Sequence, residues 1–239
     1  MRFALEYAKA DLLLRDWGVR STIIVFGSAR AASPEQVEAA EIMAQSDAEL
    51  AALARMRRQL GWYQAAREFG RIASERGGAL APRHRWHDNV IATGGGGGFM
   101  EAANRGAHEA GAPSIGFNIT LPHEQLPNRY TTPELSFRFH YFAMRKMHLA
   151  MWARALVVFP GGFGTMDELF ELLTLIQTGK MPKAPIVLFN QAYWRRLVNF
   201  EAMVEEGMIG ADDLKLFDFA ENAEEIWRIL VARGVGVEG

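Results

Sequence analysis

Two stretches of the 239-residue chain carry residue types suited to chemistry on a phosphorylated ligand. The first is the five-glycine run at 94–98, which follows an apolar segment at 89–93 and leads into FMEAANRGAHEAG. The second is Pro160-Gly161-Gly162-Phe163-Gly164-Thr165, which follows ALVVF at 155–159 and continues into MDELFELLTLIQTG. Glycine lets a backbone approach a ligand closely. A helix that starts at such a turn offers unpaired N–H groups and the positive end of its dipole to an anion. Neither stretch is a standard nucleotide fingerprint. With Gly94 and Gly96 as the first two glycines of GxGxxG, the third position falls on Phe99, and GxxxxGK[ST] is absent. A tight strand-to-helix connection accounts for one such loop. Two of them at strand ends of one sheet point to a phosphate pocket.

Charged residues stand close to the second loop. Glu168 and Glu171 are three apart, so they share a helix face, and Thr174 lies three further on. A carboxylate one turn into a helix beside a phosphate loop suits general-base work or stabilisation of a developing cation. Acidic residues also favour a first helical turn through the dipole alone. Arg145 and Lys146 lie in the preceding helical segment. Arginine suits planar, bidentate recognition of phosphate or carboxylate, although adjacent cations are common on solvated faces. Ser28, in GSAR at 27–30, stands at a strand end, but GxSxG and a histidine partner for it are missing. The six histidines, at 84, 87, 108, 123, 140 and 148, form no HExxH, and no metal is expected.

Composition narrows the classes. Lys plus Arg is 26 against 28 Asp plus Glu, a net charge of −2, without the basic excess of a nucleic-acid binder. The chain has no cysteine, which excludes disulfides, thiolate nucleophiles and Cys-ligated metals. No apolar run approaches the roughly 20 residues that span a bilayer. Glu6, Asp11 and Asp16 interrupt the N-terminal stretch where a signal peptide is apolar. The expectation is a cytoplasmic protein with neither membrane nor nucleic acid as partner.

Strands are expected at 22–26, 89–93, 113–117, 137–142, 155–159 and 185–189, with an extended piece at 215–219. Helices are expected at 3–17, from 34 to about 77 with a break near Gly61, and at 99–111. Further helices fall at 144–153, 166–178, 191–206 and 221–233, and 160–165 reads as a turn. Continuous apolar strands alternating with helices predict an α/β architecture: a single Rossmann-like doubly wound parallel sheet with helices on both faces. The whole of 1–239 reads as one domain, with an N-terminal helical extension and inserted helices at about 31–88.

PGGxGTxxE at 160–168, preceded by Met144-Arg145-Lys146, resembles the LONELY GUY (LOG) family. GSAR at 27–30 and GGGGGFMEAANRGA at 94–107 match further segments, and the resemblance covers about 21–190. These proteins are cytokinin riboside 5′-monophosphate phosphoribohydrolases, often labelled lysine decarboxylases. The resemblance implies hydrolysis of the N-glycosidic bond of a nucleoside 5′-monophosphate, AMP or a cytokinin riboside monophosphate. The products are the free base and ribose 5-phosphate, and no cofactor is needed. It also implies that Arg145 and Glu168 are catalytic, that Lys146 helps to hold substrate, and that Gly161, Gly162, Gly164 and Thr165 cradle the phosphate. Gly95, Gly96 and Ser28 line the same pocket, Thr174 is a further substrate contact, and Glu124 in the long loop matches an acidic position. Glu171 joins this set from the helix face of Glu168.

Such cleavage passes through an oxocarbenium-like transition state, for which Glu168 would either stabilise the charge or orient a water, and Arg145 would either hold that carboxylate ionised or bind the phosphate. A decarboxylase would need a pyridoxal-phosphate lysine, and Lys146 is the one lysine near the motifs. The segments 31–88 and 118–135 and the stretch after 190 suggest one of the longer bacterial forms. Surplus apolar positions in the leading helix and 35–76 are expected to pack between subunits of a homo-oligomer. Two readings stand beside the enzyme: a non-catalytic nucleotide- or phosphosugar-binding protein, and a carrier of a nucleotide sugar or molybdenum cofactor.

Overall fold

A computed structural model describes residues 2–82, 84–120 and 127–236. Helix α1 (Arg2–Asp16) precedes strand β1 (Thr22–Phe26), and α2 (Pro34–Met43) and α3 (Asp47–Arg76) lead to β2 (Val90–Thr93). Then come α4 (Phe99–Glu109), β3 (Ser114–Ile119), β4 (Ser136–Phe139), α5 (Phe142–Trp152) and β5 (Ala153–Val158). The chain continues through α6 (Phe163–Gln177), β6 (Ile186–Phe189), α7 (Gln191–Leu197), α8 (Phe200–Glu205), β7 (Phe217–Ala220) and α9 (Ala223–Ala232). The strands form one sheet in the order β4-β3-β2-β1-β5-β6-β7, and every pair is parallel. The architecture is the expected doubly wound α/β sheet. No described helix is long and apolar enough to cross a membrane.

The period of a strand explains the two layers. Ile24 and Phe26 of β1 join a core with Leu14 of α1, Leu149 of α5, Leu169 and Leu172 of α6 and Trp194 of α7. Their neighbours Ile23 and Val25 point the other way, into a second core with Phe69 of α3, Phe99 of α4 and Ile226 of α9. Both faces are covered, so every residue of β1 is buried and the strand reads as an unbroken apolar run. The segment expected as an insertion at 31–88 is mostly the β1–β2 crossover. Its α3 carries Tyr63, Ala66, Phe69, Ile72 and Ala73 into the second core.

Several boundaries differ from expectation: the strand expected at 137–142 ends at Phe139, with α5 already begun at Phe142, and three others shift. Helix α3 runs unbroken through Gly61, and the break falls at 44–46 instead. There Ser46 accepts from the Glu49 N–H while the Glu49 carboxylate accepts from the Ser46 N–H, a capping box that starts a helix. One exposed glycine costs a helix only about 1 kcal/mol, which the buried face of α3 outweighs. The expected helix at 191–206 is two, with Asn199 capping the second at Ala202 N–H. The turn at 160–165 is shorter than expected, because α6 already begins at Phe163.

Sheet order places the ligand edge. The chain leaves β1 toward β2 on one side and returns after β4 to β5 on the other, so the connections diverge at the carboxyl ends of β1 and β5. There Phe159 N–H donates to Phe26 O at 2.8 Å and Ser28 N–H to Pro160 O at 3.0 Å. The two strand-end loops are therefore tied side by side.

Helices α3 and α4 cross through glycine. A Cβ on Gly106 would lie 1.9 Å from Arg67 O, and one on Gly70 would lie 2.2 Å from Ala103 O. Gly106→Ala should therefore cost about 1–3 kcal/mol of overpacking. Gly61→Ala, with nothing within 4 Å of its new Cβ, should stabilise by about 0.5–1 kcal/mol. Urea unfolding of the two variants checks the opposite signs.

Candidate active site

A cleft of about 1170 Å³ opens above the β1–β5 divergence, somewhat larger than the usual small-molecule site of about 300–1,000 Å³. Three strand-end loops line it: Gly27 to Arg30 after β1, Gly94 and Gly96 after β2, and Pro160 to Thr165 after β5. The structure brings Ser28, Gly96, Arg145, Gly161, Gly162, Gly164 and Thr165 to this one cleft. Gly95 lies just behind the wall, buried, with φ +70°, where a Cβ would press on the Asn118 amide at 2.4 Å.

Of the two helices that start at this edge, α4 is packed against the β1 loop, its Phe99 N–H donating to Ser28 O at 3.2 Å, while α6 begins without a side-chain cap. Gly98 is the N-cap of α4 and Gly162 that of α6, and neither is closed by a side-chain hydrogen bond. Gly162 and Gly164 are exposed, and a Cβ on either would meet nothing within 4 Å. Packing within the chain does not demand glycine at these two positions, so the open space beside them suits a ligand. Gly161 differs: its missing Cβ makes room for Thr165, whose Oγ1 would sit 2.0 Å away. From α7, Tyr193 donates its hydroxyl to Gly161 O at 2.6 Å and fixes the loop from the far side.

Beneath the loops lies a buried ion pair. Arg145 Nη2, on α5, donates to Glu168 Oε1, on α6, at 2.8 Å. The side chains are only 11% and 3% exposed. Arg145 also lines the cleft, and its Nη1 comes within 4.0 Å of the position a Cβ on Gly94 would take. Its guanidinium thus sits between the two glycine loops and the carboxylate. Its Nε is buried without a hydrogen-bond partner, and its Cζ lies 5.2 Å from the Phe142 ring centroid.

Burial pushes the Glu168 carboxyl above the ordinary range, while Arg145 and Lys146 pull it back. Arg145 does favour the ionised form, as the sequence suggests, but desolvation outweighs it. Lys146 faces a different way. Its Nζ lies 2.9 Å from Asp167 Oδ1 and 2.9 Å from Glu171 Oε2. Burial works against its charge, yet these two carboxylates raise its pKa above the usual lysine value.

Glu168 does not line the cleft itself and meets it only through Arg145, and Glu171 and Thr174 are not brought to it. Glu171 is engaged by Lys146 on the outer side of α6, and the Thr174 hydroxyl donates back to Phe170 O at 2.7 Å. Glu124 lies outside the described residues. The cleft also holds Trp62 of α3, Asn118 of β3 and Tyr193, which sequence reasoning did not single out. The available signal was position: Asn118 and Tyr193 stand at or just beyond strand ends on the ligand edge. Among the described residues no group of three or more His, Asp or Glu is placed to hold a metal ion.

A family described as "Possible lysine decarboxylase" matches residues 100–230, more than half of the chain. The chain belongs to this family, that of the LONELY GUY (LOG) proteins. It is 32% identical over 142 residues to the probable cytokinin riboside 5′-monophosphate phosphoribohydrolase LOG4 of Oryza sativa subsp. japonica, covering 58% of this chain and 60% of that protein. It is 29% identical over 173 residues to the phosphoribohydrolase LOG of the same organism, covering 71% and 66%. The match thus spans slightly less than two thirds of each relative. Two solved structures share the fold. One is a structural-genomics target designated TM1055, with TM-score 0.53 and 19% identity over 89% of this chain and 99% of that one. The other is the molybdenum cofactor binding protein of the phototrophic bacterium Rippkaea orientalis, with TM-score 0.52 and 16% identity over 90% and 98%.

A lysine decarboxylase would need a lysine that forms an imine with pyridoxal phosphate. Lys146 does not fit that role. An imine-forming lysine needs a neutral nitrogen, and Lys146 is held charged by two carboxylates.

Titration of Glu168, followed by 13C NMR of labelled glutamate, should give a midpoint above the ordinary value of about 4.3. Arg145→Ala should move it higher still, because the guanidinium is the stronger of the two cations that lower it. A midpoint at or below the ordinary range contradicts the dominance of burial.

Proposed function

We propose that this protein hydrolyses the N-glycosidic bond of a nucleoside 5′-monophosphate, releasing free base and ribose 5-phosphate. The observation that carries the reading is Arg145, which lines a cleft walled by two glycine loops and holds the buried Glu168 carboxylate behind it at 2.8 Å. The names of the rice relatives support the same chemistry on a cytokinin riboside monophosphate, and AMP carries the same ribose 5′-phosphate and N-glycosidic bond.

Each part has a role. The phosphate docks at the open N-terminus of α6, over Gly162 and Gly164, where the unpaired N–H groups and the dipole favour it. Thr165 and Ser28 flank it. The ribose then lies toward Arg145 and Glu168. As the C1′–N bond breaks, its electron pair leaves with the base and positive charge builds on the ribose. The Glu168 carboxylate stabilises that charge in a site where water does not screen it. Water attacks C1′, its proton goes to the base or to solvent, and ribose 5-phosphate results. Arg145 keeps Glu168 ionised against the pull of burial. No step calls for a metal or an organic cofactor. Phe163, 96% exposed at the cleft rim, and Phe142, 51% exposed, support a homo-oligomeric assembly that covers this edge.

A nucleotide panel assayed for base release tests the reading, with AMP first. Glu168→Gln should lower turnover by at least about 10²–10³-fold while AMP still binds. Gly162→Ala should leave stability within about 0.5 kcal/mol, because no chain atom is near, yet weaken nucleotide binding. Turnover should also fall as pH drops through the Glu168 midpoint, since protonation removes the stabilising charge, and this acid limb should lie above the ordinary glutamate range. AMP binding untouched by Glu168→Gln, with no base released from any nucleotide, would instead support a non-catalytic binding protein.

A further inference from the structure

The glycine run at 94–98 is held from beneath by a buried polar network that reaches into the segment following β3. Asn128 N–H donates to Gly95 O at 2.8 Å. Its side-chain Nδ2 donates to Gly96 O at 3.0 Å and to Asn104 Oδ1 at 3.0 Å. Asn104 Oδ1 also accepts from Thr93 Oγ1 at 2.7 Å, and Thr93 Oγ1 accepts from Gly95 N–H at 2.9 Å. On the other side, Asn128 Oδ1 accepts from Tyr130 N–H at 3.1 Å. Thr93 and Asn104 are fully buried and Asn128 is 7% exposed. The bonds form a closed ring, Gly95–Thr93–Asn104–Asn128–Gly96, and they fix which end of the Asn128 amide points which way.

The consequence lies in the cleft. Backbone carbonyls repel a phosphate, whereas N–H groups attract one. A glycine run has no side chains to hold its peptide planes, and Gly95 and Gly98, at φ +70° and +65°, adopt conformations that glycine leaves easily. We propose that Asn128 is a positioning residue that takes the carbonyls of Gly95 and Gly96 and so keeps the loop's oxygens out of the nucleotide pocket. Its effect on turnover rests on the phosphoribohydrolase reading, while its effect on the loop does not.

Asn128→Asp is the informative variant, because it keeps the shape and the Tyr130 contact but turns two donors into acceptors facing Gly96 O and Asn104 Oδ1. Asn89→Asp is the control. Asn89 is equally buried and donates to Gly77 O and Gly236 O, outside the network. Hydrogen–deuterium exchange of the full chain should be at least tenfold faster across 94–100 in Asn128→Asp than in wild type, and unchanged there in Asn89→Asp. With AMP, Asn128→Asp should raise KM at least tenfold with kcat within about threefold, and Asn89→Asp should leave KM alone. If Asn128→Asp does not fold, Thr93→Val removes the acceptor of Gly95 N–H without adding charge and should speed exchange in the same peptide. Unchanged exchange across 94–100, or the same change in Asn89→Asp, overturns the proposal. So does a kcat that falls with the folded fraction at constant KM. If wild type releases no base, the phosphoribohydrolase reading fails and the exchange result alone decides this one.

Discussion

The site depends on keeping one carboxylate out of water without letting it neutralise. Glu168 is buried in the first turns of α6, where desolvation favours its protonated form, and the Arg145 guanidinium 2.8 Å away, helped by Lys146, opposes that shift. Removing one member of a buried pair commonly costs about 3–5 kcal/mol, because the other charge is left unpaired. The pair is therefore a structural commitment as well as a chemical one. It fixes the distance between α5 and α6, and these two helices must both pack on the sheet for it to form.

The sheet supplies that constraint. Residues 23 apart can meet because α5 and α6 flank β5 on the same face, through Leu149 and through Leu169 and Leu172. Strand β5 in turn pairs with β1, so the loops after both strands close on the same crevice. Each glycine there answers a different demand. Gly161 makes room for Thr165, Gly95 makes room for the Asn118 amide, and Gly162 and Gly164 face open space. Only the last two are free to serve a ligand alone.

Much of this was legible in the residues. Strands buried on both faces announce themselves as apolar runs, and β1 falls where the run Thr22–Phe26 puts it. Glycine loops at strand ends, with Arg145 and Glu168 nearby, marked the site. Other features depend on contacts across the fold. Asn128 reads as an ordinary turn residue until the structure sets it against Gly96, 32 positions away. Tyr193 reads as a helix aromatic until its hydroxyl meets Gly161. Thr174 and Glu171 share a helix with Glu168, but helical spacing alone does not say which side of that helix meets the cleft. The upward shift of Glu168 was hidden for the same reason, because an adjacent arginine is visible in sequence while desolvation is a property of the packed core.

The most direct test of the central claim is product analysis after incubation with AMP in 18O-labelled water. Hydrolysis at C1′ predicts adenine and ribose 5-phosphate in equal amounts, with the label on the C1 hydroxyl of the sugar at early times. Adenosine and labelled inorganic phosphate, or unchanged AMP together with every other nucleoside monophosphate, would contradict it.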